Sequence, residues 1–228
     1  IMFDKKAIAE RIDNADNTHS RKGVTYARVA SYDIARGLGY KYFWQLDDDY
    51  LSFYHVFNGK KETRNTKLTK LDAALKIMLA YYISAPIDTL CMSQGGDHIG
   101  GSSSGMLKNI GIKRKAMNSF IMSTDREIGF FGRINDDVST IVRLGSVGTL
   151  FFTHSMLKLI QPQTQSMAGG MSDVFKDGGT YLKSFYSVLY SPSSVQISTL
   201  GRGAGMRIHH RVNWNKAVPK ILREEHSA

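Results

Sequence analysis

Apolar residues recur every three or four positions in several stretches of the chain, a spacing typical of helices with one buried face. Between residues 23 and 39 the repeat is carried by Ala27, Ala30, Ile34 and Leu38, and glycines close the segment. The predicted helices span residues 4–12, 23–39, 68–82 and 136–144. Four aromatic residues are spaced like the buried stripe of a further helix: Tyr181, Phe185, Tyr186 and Tyr190.

Short apolar or aromatic runs between these segments predict strands. The run over 40–46 is rich in aromatic residues and predicts a buried strand. Residues 58–67 and 95–105 are polar or glycine-rich and predict loops. The other predicted strands span residues 50–57, 87–93, 117–123, 147–153 and 193–200. Strands that alternate with helices favour an α/β fold, a layered sheet flanked by helices, in one domain over residues 1–228.

The composition narrows the class of protein. The chain has 228 residues and a formal net charge of +10, so it favours a polyanionic partner such as nucleic acid, an anionic membrane surface or a phosphorylated ligand. With one cysteine, Cys91, it cannot form a disulfide scaffold or a multi-cysteine zinc site. Its apolar runs are shorter than the roughly 20 residues that span a bilayer. We therefore expect a soluble protein of a reducing compartment.

Three aspartates, Asp47, Asp48 and Asp49, follow the predicted strand over 40–46. Because side chains alternate along a strand, Asp47 and Asp49 can face the same side. Two carboxylates on one side suit Mg²⁺ or Mn²⁺, which prefer oxygen ligands and share their shell with phosphates. The alternative is a solvated acidic turn. Ligands of open α/β sheets bind beyond the carboxyl ends of strands, so the position favours the metal site.

Two further groups are open to two interpretations. Asp136 and Asp137 open a predicted helix, where acidic residues often cap the helix or offset its dipole, but one could instead act as a general base. His209 and His210 lie among arginines and form either a basic surface patch or part of a metal shell.

Several spaced blocks resemble known enzymes. Gly23-Val-Thr-Tyr-Ala-Arg28, followed by Tyr42-Phe-Trp-Gln-Leu-Asp-Asp-Asp49, resembles the passage to the DxD motif in GT-A nucleotide-sugar transferases. Further blocks are similar to the TET-associated glycosyltransferase family, largely bacteriophage-encoded and linked to sugar addition onto 5-hydroxymethylcytosine in DNA. The resemblance covers roughly residues 20 to 222, and its further blocks lie at 161–173, 179–187, 192–198 and 207–210.

The resemblance implies a GT-A-like, Rossmann-like mixed sheet whose usual first strand is missing or rearranged. It also implies a metal-dependent transfer from a UDP-sugar, with Mn²⁺ or Mg²⁺ held by Asp47, Asp49 and His210 or His209. Asp137 would be the base of an inverting displacement, with Asp136 in reserve. The implied donor-binding residues are Tyr26, Arg28, Asp48, Gly95, Gly96 and Asp97. For the 95–97 segment a surface loop is the alternative.

The implied acceptor is DNA that carries 5-hydroxymethylcytosine, reached by flipping the base or from a single strand. The basic residues of the C-terminal part would follow its phosphates. We expect no membrane, no obligate protein partner and a location in the cytoplasm of the host cell. The implied acceptor residues are Thr164, Gln165, Gly169, Gly170, Arg202, Arg207 and Arg211. A transferase acting on protein Ser or Thr, or a non-catalytic nucleotide- or DNA-binding module, are the alternatives.

Overall fold

A computed structural model of the chain describes residues 1–16, 21–58, 63–99, 105–108, 111–117, 119–162, 171–201, 203 and 206–219. These residues form a mixed α/β structure with a six-stranded sheet and a separate two-stranded hairpin. The strands are β1 (Tyr42–Leu46), β2 (Ser52–Asn58), β3 (Thr63–Lys67), β4 (Thr89–Gln94), β5 (Ser119–Ser123), β6 (Phe151–Ile160), β7 (Val195–Leu200) and β8 (Arg207–Val212). The helices are α1 (Lys5–Ala9), α2 (Thr25–Gly37), α3 (Leu71–Ser84), α4 (Gly105–Lys108), α5 (Asp136–Gly145) and α6 (Met171–Tyr190), with a 3₁₀ helix over Gly95–His98.

The strand order β1-β5-β4-β6-β2-β3 brings several chain segments to one edge of the large sheet. β4 and β6 are parallel, and β5 is antiparallel to both β1 and β4. Strands β1, β4 and β6 therefore run in one direction, and all three end at the same edge. We call this the carboxyl edge; residues 47–49, 94 and 161 lie there. β5 begins at this edge, since Ser119 pairs with Leu46.

Helices cover both faces of the sheet, and β4 contributes apolar side chains to each face in alternation. Cys91 faces the cluster that contains α2, whereas Leu90 and Met92 face the cluster that contains α3. The hairpin β7–β8 packs on α6, and Val195 joins Val138 of α5 in a smaller cluster. The mixed sheet flanked by helices that we expected is confirmed.

Some expectations about single elements were wrong. β1 is a half-buried strand at a lateral edge of the sheet rather than the buried strand that we expected. The predicted loop over 58–67 contains β3. Its polar residues pair with β2, and β3 is the last strand of the sheet on the side opposite β1. Its side chains over 64–67 are exposed, so the strand has no apolar alternation that would reveal it. The stretch Arg207–Val212, for which we predicted no secondary structure, is β8.

The aromatic stripe near the end of the chain lies on α6, but it is not uniformly buried. Tyr186 is buried, whereas Tyr181 is 53% exposed and its ring contacts that of the half-buried Phe185 in a tilted arrangement. Within the described residues, no helix has the length and apolarity needed to cross a bilayer.

Candidate active site

The acidic triplet lies just beyond the end of β1, at the carboxyl edge. Asp47 and Asp49 are half-buried and Asp48 is exposed, as strand alternation predicts. The backbone N–H of Asp47 donates to the Tyr50 hydroxyl at 3.0 Å. Gln161, just after β6, donates from Nε2 to Oδ1 of Asp49 at 2.9 Å. Both ends of the triplet are thus fixed by neighbouring side chains.

A hydrogen-bonded chain continues from Gln161 across the carboxyl edge. Gln94 Nε2 donates to Gln161 Oε1 at 2.8 Å, and the Gln94 backbone N–H donates to Asp97 Oδ2 at 2.6 Å. Asp97 also forms an ion pair with Arg114, Oδ1 to Nη2 at 2.6 Å. The 3₁₀ helix that contains Gly95 and Gly96 is therefore linked to the acidic triplet through the hydrogen bonds of Gln94 and Gln161. Both carboxylate oxygens of Asp97 are occupied, one by the Gln94 N–H and the other by Arg114.

Arg28 joins the two acidic groups. Its Nη1 lies 2.6 Å from Asp136 Oδ2, and its Nη2 lies 3.9 Å from Asp47 Oδ1. The side chain is buried, and its guanidinium lies over the rings of Phe120 and Phe130. Burial lowers the pKa of Arg28, but the nearby carboxylates, led by Asp136, outweigh it and raise the pKa. Arg28 is therefore a permanent cation between Asp47 and Asp136.

The residue that precedes the acidic pair of α5 has an uncommon backbone conformation. Asn135 has φ 59° and ψ 30°, a left-handed conformation that is uncommon outside glycine and costs free energy. The surrounding packing compensates, since its buried Nδ2 donates to Ser187 Oγ at 2.5 Å. Such positions cluster at functional sites.

The two aspartates have opposite electrostatic environments. Asp136 is buried, and burial raises its pKa despite Arg28. Burial also acts to raise the pKa of Asp137, but Lys115 and Arg28 outweigh it and hold that pKa well below its usual range. Lys115 Nζ lies 2.5 Å from Asp137 Oδ2. Asp137 is the accessible member, with its side chain 17% exposed, so it is the one that a substrate can reach.

The histidines of β8 lie in the same charged cluster. The rings of His209 and His210 are 4.3 Å apart. Burial lowers the pKa of His210 to about 3, with further lowering from His209, Lys115 and Lys183. The Nδ1 atom of His210 is buried, and among the described residues it has no hydrogen-bond partner. Neutral imidazole is the form that binds metals.

The structure places the residues expected from the sequence differently. Asp47, Asp49, Arg28 and the Asp136–Asp137 pair form one connected site, and the charges of Asp137 and Lys115 act on His210. Tyr26 is fully buried and donates to Asn14, so a donor contact does not fit its position. Arg207 and Arg211 are exposed on β8. The predictions at Thr164, Gln165, Gly169, Gly170 and Arg202 lie outside the described residues.

The sequence interpretation missed Lys115, Lys183 and Gln161 as members of the site. Lys115 lies in the basic run 113–115, which gave no sign of a specific partner. Lys183 contributes to the lowered pKa of His210, and nothing in its sequence context marks it. Gln161 opens a block that carried the family resemblance, so it could have been found there.

The donor atoms at the carboxyl edge suit a hard divalent ion. Among the described residues, no three His, Cys, Asp or Glu side chains are grouped as they would be around a metal. Mg²⁺ and Mn²⁺ do not require three, because two carboxylates together with substrate phosphates and water can complete their shell. Asp47 and Asp49 fit this requirement, whereas His210, which we expected as a third ligand, is not grouped with them among the described residues.

No curated protein and no solved structure matches the chain. The family model described as TET-Associated Glycosyltransferase matches residues 3–170. This range covers α2, the acidic triplet, the Asp136–Asp137 pair and Gln161, and it amounts to well over half of the chain. The chain therefore belongs to the TET-associated glycosyltransferase family, whose name denotes glycosyl transfer.

Proposed function

We propose that the protein transfers a sugar, glucose or a related hexose, from a UDP-sugar to the hydroxymethyl group of 5-hydroxymethylcytosine in DNA. The observation that carries the proposal is the connected site at the carboxyl edge, in which Arg28 joins the carboxylate pair of β1 to the acidic start of α5. A net charge of +10 favours a polyanionic acceptor.

The carboxyl edge provides the donor half of the reaction. Asp47 and Asp49 would hold a divalent ion, which supplies positive charge to the departing diphosphate. Gln161 fixes one oxygen of Asp49, and Arg28 lies beside Asp47, so both carboxylates are oriented before substrate binds. Asp48 is exposed and free to point toward ribose or sugar hydroxyls.

Asp137 would be the base. The acceptor oxygen attacks the anomeric carbon, its proton passes to Asp137, and the bond from that carbon to the diphosphate breaks as UDP leaves with the electron pair. A single displacement of this kind inverts the anomeric carbon. Lys115 keeps Asp137 a weak base while the two are paired.

One incubation tests the proposal. The protein is mixed with duplex and single-stranded DNA that carries 5-hydroxymethylcytosine, with a panel of UDP-sugars, and with Mn²⁺ or a chelator. The nucleosides are then analysed by mass spectrometry. We expect the modified nucleoside to gain one sugar only with metal present, whereas unmodified cytosine DNA gains none.

The controls separate the alternatives. A peptide rich in Ser and Thr is included as a competing acceptor, and glycosylated peptide without glycosylated DNA would overturn the choice of acceptor. No mass gain on any acceptor with any donor would overturn catalysis itself. Full transfer in the presence of chelator would remove the metal from the mechanism.

A further inference from the structure

A basic cavity lies beside the site described above but is built from different elements. It has a volume of about 580 Å³, within the roughly 300–1,000 Å³ typical of ligand sites. Lys113, Arg211 and Lys216 supply three cations to its wall. Gln196 supplies an amide, and the half-buried Trp214 supplies an aromatic ring.

The chemistry of the lining favours an anionic ligand that also has a flat ring. No acidic side chain occurs among the described residues that line the cavity. Trp214 packs partly against the apolar clusters below it, so the ring is supported on a rigid base. A cationic groove beside an aromatic ring is the combination with which proteins bind single-stranded nucleic acid, because phosphates meet the cations and bases stack on the ring.

The β7–β8 hairpin separates this cavity from the catalytic carboxylate. Gln196 pairs directly with Arg211 across the hairpin, so both side chains lie on one face, whereas His210 points to the other. The charge of Asp137 acts on His210, and Lys113 is two residues from Lys115, the partner of Asp137. The cavity is therefore adjacent to the catalytic site without containing it.

The donor groups come from other segments. The acidic triplet, Gln94 and Gln161 lie at the carboxyl edge, and none of these lines the cavity. A ligand seated against Arg211 would thus belong to the acceptor rather than to the UDP-sugar. Since the reacting group must approach Asp137, the part of the acceptor in the cavity is a neighbour of the reacting nucleotide.

We propose that this cavity binds a nucleotide of the acceptor strand that flanks the modified base. Lys113, Arg211 and Lys216 contact its phosphates, and Trp214 stacks on its base. The inference rests on the proposed function for the identity of the acceptor. The enzyme then binds the acceptor strand at a second nucleotide, outside the one that reacts.

Binding without catalysis tests the cavity directly. The ligand is a labelled single-stranded oligodeoxynucleotide without modified bases, followed by fluorescence anisotropy at several salt concentrations. The double variant Arg211→Ala/Lys216→Ala should raise the Kd at least about tenfold and reduce the slope of log K against log salt by about 1.4, for two lost contacts. Lys41→Ala is the matched control, because Lys41 is exposed and precedes β1, at the end of that strand opposite the carboxyl edge. An equal Kd for the double variant and the control would overturn the proposal.

The stacking contact has its own variants. Trp214→Leu should raise the Kd by about fivefold or more with an unchanged salt slope, and Trp214→Phe should restore most of the affinity. Thermal unfolding of each variant checks that the fold is intact. Inorganic pyrophosphate is tested as a competitor at the same concentration of phosphate groups as the oligonucleotide. If it displaces the oligonucleotide, the cavity is a simple anion site and the proposal is overturned.

Catalysis provides the last readout. Arg211→Ala/Lys216→Ala should raise KM for a modified oligonucleotide and leave KM for a single modified nucleotide unchanged. An equal rise for both acceptors would place the two cations at the reacting group and overturn the flanking role. If the protein transfers no sugar to DNA, the proposed function fails, while the anisotropy measurement still decides whether the cavity binds nucleic acid.

Discussion

Single residues in this site act through the charges that surround them. Asp136 and Asp137 are adjacent in sequence, yet burial raises the pKa of the first and Lys115 lowers that of the second. From the residues alone the pair was either a helix cap or a source of a general base, and only the family resemblance named Asp137 as the base. Their different environments could not be predicted, because Lys115 and Arg28 are brought to them only by folding.

Replacing Asp137 by Asn removes the proposed base with little change of shape. We expect transfer to fall by at least about 10²–10⁴-fold, the usual contribution of a general base. The Kd for UDP-sugar, measured by calorimetry, should change only slightly because the donor carboxylates are untouched. Retained turnover in Asp137→Asn would move the base to another residue.

Arg28 gives a separate prediction about stability. Arg28→Ala leaves Asp136 buried without its cation, which should lower the free energy of unfolding by about 3–5 kcal/mol. The double variant Arg28→Ala/Asp136→Ala should lose less than the sum of the two single changes, because no buried charge remains unpaired. Urea unfolding of all three variants measures the coupling. Strict additivity would mean that the ion pair contributes nothing.

At the scale of elements, hydrophobic periodicity predicted the helices and strands whose formation depends on packing of an apolar face. The helices α2, α3 and α5 and most strands of the large sheet were expected near their observed positions, because each carries an apolar face against the core. β3 and β8 were missed as strands, since the described side chains of β3 are exposed and those of β8 are exposed or only partly buried, so neither shows a buried apolar alternation. Tyr26 was predicted to contact the donor from its position in a motif. The motif does not reveal that this side chain is fully buried.

A glycine in the segment before β5 allows that segment to contact β6 closely. A Cβ on Gly111 would lie 2.1 Å from the backbone oxygen of Thr153 in β6, so the two backbones are in direct contact. This contact fixes residues 111–117, which include Lys115. Gly37, at the end of α2, has no atom within 4 Å of an added Cβ and no positive φ.

These two glycines form a matched pair for mutation. Gly111→Ala should lower the free energy of unfolding by about 1–3 kcal/mol, because neither backbone can move away freely, and it should also lower transfer through displacement of Lys115. Gly37→Ala should raise the free energy of unfolding by about 0.4–1 kcal/mol. Denaturant unfolding and a transfer assay measure both effects. Wild-type stability and activity in Gly111→Ala would show that the segment is not held by this contact.

The charge of the whole molecule acquires a direction once the fold is known. The net charge of +10 predicted only a polyanionic partner. Arg28, Lys115 and Arg114 are paired with acidic residues inside the site, so they are not available to an acceptor strand. The exposed Arg207 and Arg211 of β8 lie beside the site and remain accessible. The exposed cations beside the site, which the proposed acceptor strand would contact, therefore include those of the hairpin.

This distribution predicts a selective effect of salt. Each phosphate contact on a single strand contributes about 0.7 to the slope of log K against log salt, so the KM for a long modified DNA should rise steeply between 50 and 200 mM salt. The KM for UDP-sugar should change much less, because the donor is expected to bind at half-buried carboxylates through an ion, and buried charges are weakly screened. Steady-state kinetics at matched pH and metal concentration measure both constants in one series, with a modified mononucleotide as the acceptor control. If salt raises KM equally for the long DNA and the mononucleotide, the exposed cations do not contact the acceptor strand, and the positive charge serves only the reacting nucleotide.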